Sequence, residues 1–266
     1  MVVSLSSLKS MMADARSLAD DLGVVTRDLT DRELVRFGRA FERQFVRQYT
    51  TREIRDIYLR HQGEALLGAM IAKEQMDAEI DSEQPAPNKI GGPIPIEAAY
   101  LGIGDNWEDI NGIYGGTQSS WSTGSPQNWI HSGTSLMGGT AGNPVRIGEN
   151  AVHVIFAIGS LHPSPKIESV QFTIDGKTKP KLLTFFSQRY MPGAPRAVKE
   201  LDNCYILNKD KTVLAKVFIG HAFGEPSDYV IDFPYLIGVS YIKEPALRLQ
   251  DPATLPGSVY NVVLTT

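Results

Sequence analysis

Cys204 is the only cysteine in the 266-residue chain, which excludes an intramolecular disulfide and any multi-cysteine zinc site. The fold must hold by packing. Nowhere do about 18 apolar residues run without interruption, the length a helix needs to cross a bilayer. Met1 to Ser10 lacks the basic start and apolar run of a signal peptide, so the expectation is a chain made in the cytoplasm with no membrane span. Charge of one sign is scarce too. The formal net charge is -4, which argues against a uniformly cationic nucleic-acid binder and makes any basic function local. Signatures of catalysis are missing as well. His61, His131, His153, His162 and His221 show no HExxH spacing, no GxSxG elbow occurs, and Cys204 sits in an extended stretch with no histidine beside it. Gly138 to Gly142 lacks the Lys-Ser/Thr ending of a phosphate loop. No cofactor, metal or enzymatic reaction is expected. His153 falls opposite the apolar face of its own strand and reads as a surface residue.

What the chain has in quantity is arginine at one end. Ten of its fourteen arginines precede residue 61, so the amino-terminal third differs in kind from the rest. Leu5, Leu8, Met11, Met12, Ala15, Leu18 and Leu22 recur at helical spacing and predict a first amphipathic helix. Thr30 followed by Glu33 reads as a capping box opening a second helix. On that helix Leu34, Phe37, Phe41 and Phe45 share one side and Arg32, Arg36, Arg39, Arg43 and Arg47 the other. The arginine side has three readings: a solvated face laced by local ion pairs, a contact with an acidic neighbouring subunit, or a contact with nucleic acid. A third helix is predicted from Arg52 to Ile80, with a break near Gly63 or Gly68.

Four prolines and two glycines between Asp81 and Pro95 mark a boundary. The organisation predicted is a helical arm over 1–84, a linker over 85–95 and a β body over 96–266. Long excursions at 96–148 contain Trp107, Trp121 and Trp129. In the body Val152, Val154, Phe156 and Ile158 alternate, as do Val170, Phe172 and Ile174 ahead of Asp175-Gly176, a dipeptide that favours a two-residue hairpin turn. Eight strands are predicted: 151–160, 167–174, 181–189, 203–207, 212–220, 228–233, 235–242 and 258–264. One-sided strands of this kind need a second layer, so the expected class is α+β, a helical arm followed by an antiparallel, jelly-roll-like β-sandwich.

The three tryptophans, set among Ser, Thr, Asn and Gln, read as a glycan-stacking face, as interface anchors or as core plugs. A two-faced helical arm, a proline-rich joint and a sandwich body together resemble viral coat proteins with a jelly-roll body and an amino-terminal arm. The resemblance rests on that plan rather than on a motif. It implies a self-assembling shell subunit of a virion, a homo-oligomer of many copies. The anchors between subunits would be Leu34, Phe37, Phe41, Phe45, Trp107, Trp121 and Trp129, with the arginine row as an electrostatic contact. The chain departs from such proteins in having an arm nearly balanced in charge. The alternative is a carbohydrate-binding attachment module centred on the tryptophans.

Overall fold

The computed structural model describes residues 4–47, 52–81, 88–96, 127–130, 143–160, 167–180, 182–183, 197–219 and 234–243. Four α-helices come first: α1 (Leu5–Leu22), α2 (Asp31–Phe41), α3 (Arg52–Arg60) and α4 (Gln62–Met76), with a π-helical segment, Glu42–Arg47, extending α2. The strands are β1 (Glu79–Asp81), β2 (Lys89–Pro95), β3 (Gln127–Ile130), β4 (Val145–Arg146), β5 (Ala151–Ser160), β6 (Ile167–Ile174), β7 (Lys177–Thr178), β8 (Leu182–Leu183), β9 (Ala197–Leu207), β10 (Thr212–Ile219) and β11 (Pro234–Lys243). They form two sheets. One has the order β1-β2-β11-β5-β9; in the other β3, β10, β6 and β7 are neighbours, with β4 on β10 and β8 on β6. All described pairs are antiparallel except β1 with β2. The class is α+β.

Two apolar cores define three layers. In the first, α2, α3 and α4 pack against the face of the five-stranded sheet that carries Val152, Val154, Phe156, Val239 and Tyr241, and α1 lies on α2 and α4. In the second, Ile155, Ile158, Leu201, Leu207 and Leu236 of that sheet's other face meet Trp129, Val170, Phe172, Val213, Ala215 and Val217 of the second sheet. The layers are therefore helices, sheet, sheet. Strand β5 is central and covered on both sides, which is why Ala151 to Ile158 are all fully buried.

The strict alternation predicted for β5 breaks at Phe156. Between β5 and β11 the register steps from Ala157↔Ile237 to Ile155↔Gly238, leaving Phe156 as an extra residue. A bulge of this kind puts two consecutive side chains on one face. Phe156 and Ala157 both lie in the helix-side core, and Ile158 moves to the core between the sheets.

The predicted linker is also revised. Residues 89–95 form β2, which bonds to β11 on one side and β1 on the other. Its Pro93 and Pro95 cannot donate to a ladder, and the register with β11 shifts between Ser240 and Ile242. The helix predicted from Arg52 to Ile80 breaks at His61, between α3 and α4 and two residues before Gly63, near one of the two glycines where a break is expected, and it ends at Met76. Gly68 instead allows close approach: a Cβ there would stand 2.6 Å from Val154 Cγ2 and 3.0 Å from Tyr241 Cε2. The predicted strands at 228–233 and 258–264 lie outside the described residues, as does most of 181–189.

Candidate interaction surfaces

Thr30 begins α2 as the sequence implies. Its hydroxyl accepts from Glu33 N–H at 3.3 Å, and Glu33 Oε2 accepts from Thr30 N–H at 2.8 Å. Phenylalanines four apart drift by about 40° per step around a 3.6-residue helix. The wider winding of Glu42–Arg47 offsets that drift and returns Phe45 to the line of Phe37 and Phe41. The three rings run in sequence, 5.7 Å from Phe37 to Phe41 and 5.1 Å from Phe41 to Phe45. Phe45 then stacks on Tyr58 at 4.4 Å, and Tyr58 meets Phe156 edge-on at 5.9 Å.

This file of aromatics is the seam between the helices and the sheet. Leu34, Phe37, Phe41 and Phe45 are each at most 1% exposed in the single chain. The sequence assigned them to a neighbouring copy; the structure places them against the chain's own sheet. The physical reason lies in the sheet: Val152, Val154, Val239 and Tyr241 present an apolar face that needs a cover, and the helical layer supplies it. Trp129 is also corrected. It is fully buried in the core between the sheets, its ring edge-on to Phe172 at 6.1 Å, so it is neither a sugar platform nor an exposed anchor. Trp107 and Trp121 lie outside the described residues.

The opposite side of α2 remains outward. Arg32, Arg39, Arg43 and Arg47 are exposed, and Arg36 is half-buried where its Nη1 donates to Glu79 Oε1 at 3.1 Å. Arg47 bonds back to Glu42 Oε1 at 3.0 Å. Elsewhere Arg16 pairs with Asp28, Arg27 with Glu74 and Asp77, and Arg52 with Asp56. Part of the amino-terminal arginine excess is thus spent on ion pairs within the chain, each worth little at an exposed site. Among the described residues, Arg32 and Arg39 have no acidic partner within ion-pair distance.

A second charged cluster carries no sequence signal, because its members are far apart in the chain. His61, at the α3–α4 corner, has Nδ1 3.3 Å from Glu64 Oε1 and Nε2 2.9 Å from Glu200 Oε1 on β9. Arg60 Nε and Nη2 reach the two oxygens of Glu200 at 3.1 and 2.5 Å. The His61 ring lies parallel to Phe156, 4.9 Å between centroids and 7° between planes. Beside the cluster an open cleft of about 390 Å³ is lined by Glu53, Ile57, Arg60 and Val198 to Asp202. The hydrogen bond to Glu64 raises the His61 pKa, against burial and with help from Glu200. The bond from Arg60 holds Glu200 below its ordinary value. Cys204 is pushed up to about 12, first by burial and then by the charge of Glu64, so its thiol is protonated at neutral pH and is a poor nucleophile.

His153, read as a surface residue, is fully buried. It does point away from Val152 and Val154, but the second sheet covers that face. Nδ1 lies 2.8 Å from Ser240 Oγ, and burial lowers the ring's pKa to about 3. Among the described residues no group of three or more His, Cys, Asp and Glu is arranged to hold a metal ion, and no helix is long and apolar enough to cross a membrane. No family model, curated protein or solved structure matches the chain.

Proposed function

We propose that this protein is a self-assembling structural subunit, a shell component of the virion-coat kind, whose copies meet through the arginine face of α2. The observation that carries the reading is the outward pair of Arg32 and Arg39 on a helix whose other face is fixed to the sheet by Phe37, Phe41 and Phe45. Guanidinium groups held on a rigid helix suit two-point contacts with carboxylates of a neighbour. The net charge of -4 makes a sister copy a suitable acidic partner and weighs against nucleic acid as the main one. On this reading the two sheets are the wall, in the manner of a jelly-roll body, and the helical layer lies along one side of it. The setting that goes with it is the virion.

Electron microscopy of the purified full chain tests the proposal. Regular particles or rings are expected, and they should be lost when Arg32 and Arg39 are both changed to Glu while the fold is retained. A field of single 29.2-kDa molecules at every concentration would reject it.

A further inference from the structure

We propose that His61 is a proton-operated clamp that ties the α3–α4 corner of the helical layer to strand β9, closed when both ring nitrogens carry protons and loosened when one does not. The inference stands whether or not the protein assembles.

Both nitrogens of His61 face carboxylate oxygens, Glu64 at 3.3 Å and Glu200 at 2.9 Å. An ionised carboxylate only accepts hydrogen bonds, an imidazolium has two N–H donors and a neutral imidazole has one. The arrangement is therefore satisfied on both sides only by the charged ring. Loss of one proton turns a nitrogen lone pair towards an oxygen lone pair, and one of the two contacts must break. It also removes the positive charge between Glu64 and Glu200, which repel each other. Glu64 belongs to the helical corner and Glu200 to the sheet, so that repulsion acts across the seam. Phe156 holds the ring flat and in place.

The other charged groups around His61 leave it as the one that titrates near neutrality. Arg60, at the end of α3, bonds Glu200 and is itself drawn on by Asp56. Guanidinium stays charged throughout this range, and it keeps Glu200 ionised. From α4, Glu64 would be raised by burial, but the His61 bond lowers it. From β9, the Cys204 thiol near Glu64 is held at about 12, and Lys199 and Asp202 line the adjoining cleft with Glu53 of α3. Arg60 stays bonded when His61 loses its proton, so the joint slackens rather than separates.

Histidine-detected NMR of the full chain, followed by hydrogen exchange at the α3–α4 corner, tests this. The His61 midpoint should lie above 6.5 and fall in Glu200→Gln. Corner amides should exchange more slowly in the wild type than in His61→Gln at about pH 6. That difference should shrink as the pH rises through the measured His61 midpoint and vanish well above it, with β6 and β10 amides alike in both proteins throughout. A midpoint at or below 6.5, a midpoint indifferent to Glu200→Gln, or a protection ratio independent of pH would each overturn the clamp. Should His61→Gln fail to fold, the same comparison is made with Glu200→Gln, whose side chain is about a third exposed.

Discussion

Phe45 and Tyr58 lie face to face, 4.4 Å between ring centroids, and the Tyr58 hydroxyl donates to the carbonyl of Gly238 in β11 at 3.0 Å. Through this pair the helical layer is joined to a strand 180 residues further along the chain. Phe45→Ala should therefore lower the unfolding free energy of the chain itself by roughly 3–5 kcal/mol, the usual loss for a buried phenylalanine. Tyr58→Phe should lose about 1–3 kcal/mol, because the buried hydroxyl also accepts from Gly238 N–H at 3.3 Å, and its removal takes both bonds from Gly238 and leaves the carbonyl with Ile96 N–H. Denaturant titration at low protein concentration measures both. A Phe45→Ala protein as stable as wild type but altered in association would mean that the ring serves a neighbour instead.

Gly68 permits α4 to touch the sheet, and its replacement should show the cost of losing that contact. Alanine gains about 1 kcal/mol of helix propensity over glycine. Its Cβ would, however, stand 2.6 Å from Val154 Cγ2, on a stiff β-branched side chain in a filled core. Overpacking of this type costs about 1–3 kcal/mol. Gly68→Ala should be net destabilising in thermal melts, whereas Gly63→Ala, 4.0 Å from its nearest neighbour Met11, should not be.

His153 and His61 bias stability in opposite directions. Burial lowers the folded-state pKa of His153 to about 3 from an ordinary 6.5. Between those values only the unfolded chain binds the proton. Stability from this residue is thus complete above 6.5 and falls as the pH drops, by up to about 1.4 kcal/mol per unit. His61 has its folded pKa raised, so its contribution is complete below 6.5 and is lost as the pH rises through the raised value. Stability against pH should pass through a maximum near neutrality. His153→Phe should flatten the acid limb alone and His61→Gln the alkaline limb alone, as read by urea midpoints across the range.

Glu33 is a buried carboxylate with four donors around it: Thr30 N–H and Thr30 hydroxyl each at 2.8 Å, Lys73 Nζ at 2.5 Å and Ile80 N–H at 3.2 Å. Burial alone would raise its pKa, but the Lys73 bond and then those from Thr30 and Ile80 together hold it below the ordinary value. Removing one partner of a buried pair strands the other. Glu33→Gln and Lys73→Met should each destabilise by roughly 2–4 kcal/mol, and the double variant by less than their sum. Additive losses in that cycle would show the two side chains to be uncoupled.

The elements that local chemistry dictates were legible. Strands 151–160 and 167–174 match β5 and β6 in both ends, because period-two apolar runs and the Asp175-Gly176 turn are short-range signals. Asp175 and Gly176 have φ of 50° and 72°, as that turn requires. The capping box at Thr30 was equally local. The apolar side of α2 was identified, but periodicity shows only which side is apolar and not what will cover it. Strand β2 was hidden by the same prolines and glycines that mark a linker. The bulge at Phe156 has no sequence signal, so alternation alone predicts the wrong face for Ile158. His61 and Glu200, 139 positions apart, meet only in the fold.

Light scattering of the full chain over rising concentration, at low and at high salt, bears most directly on the claim that the arginine face joins copies. The mass should climb above 29.2 kDa at low salt, fall back as salt screens the guanidinium contacts, and stay at the monomer value when Arg32 and Arg39 are both glutamate. A wild-type mass fixed at 29.2 kDa under every condition, or multimers indifferent to both salt and charge reversal, would contradict it.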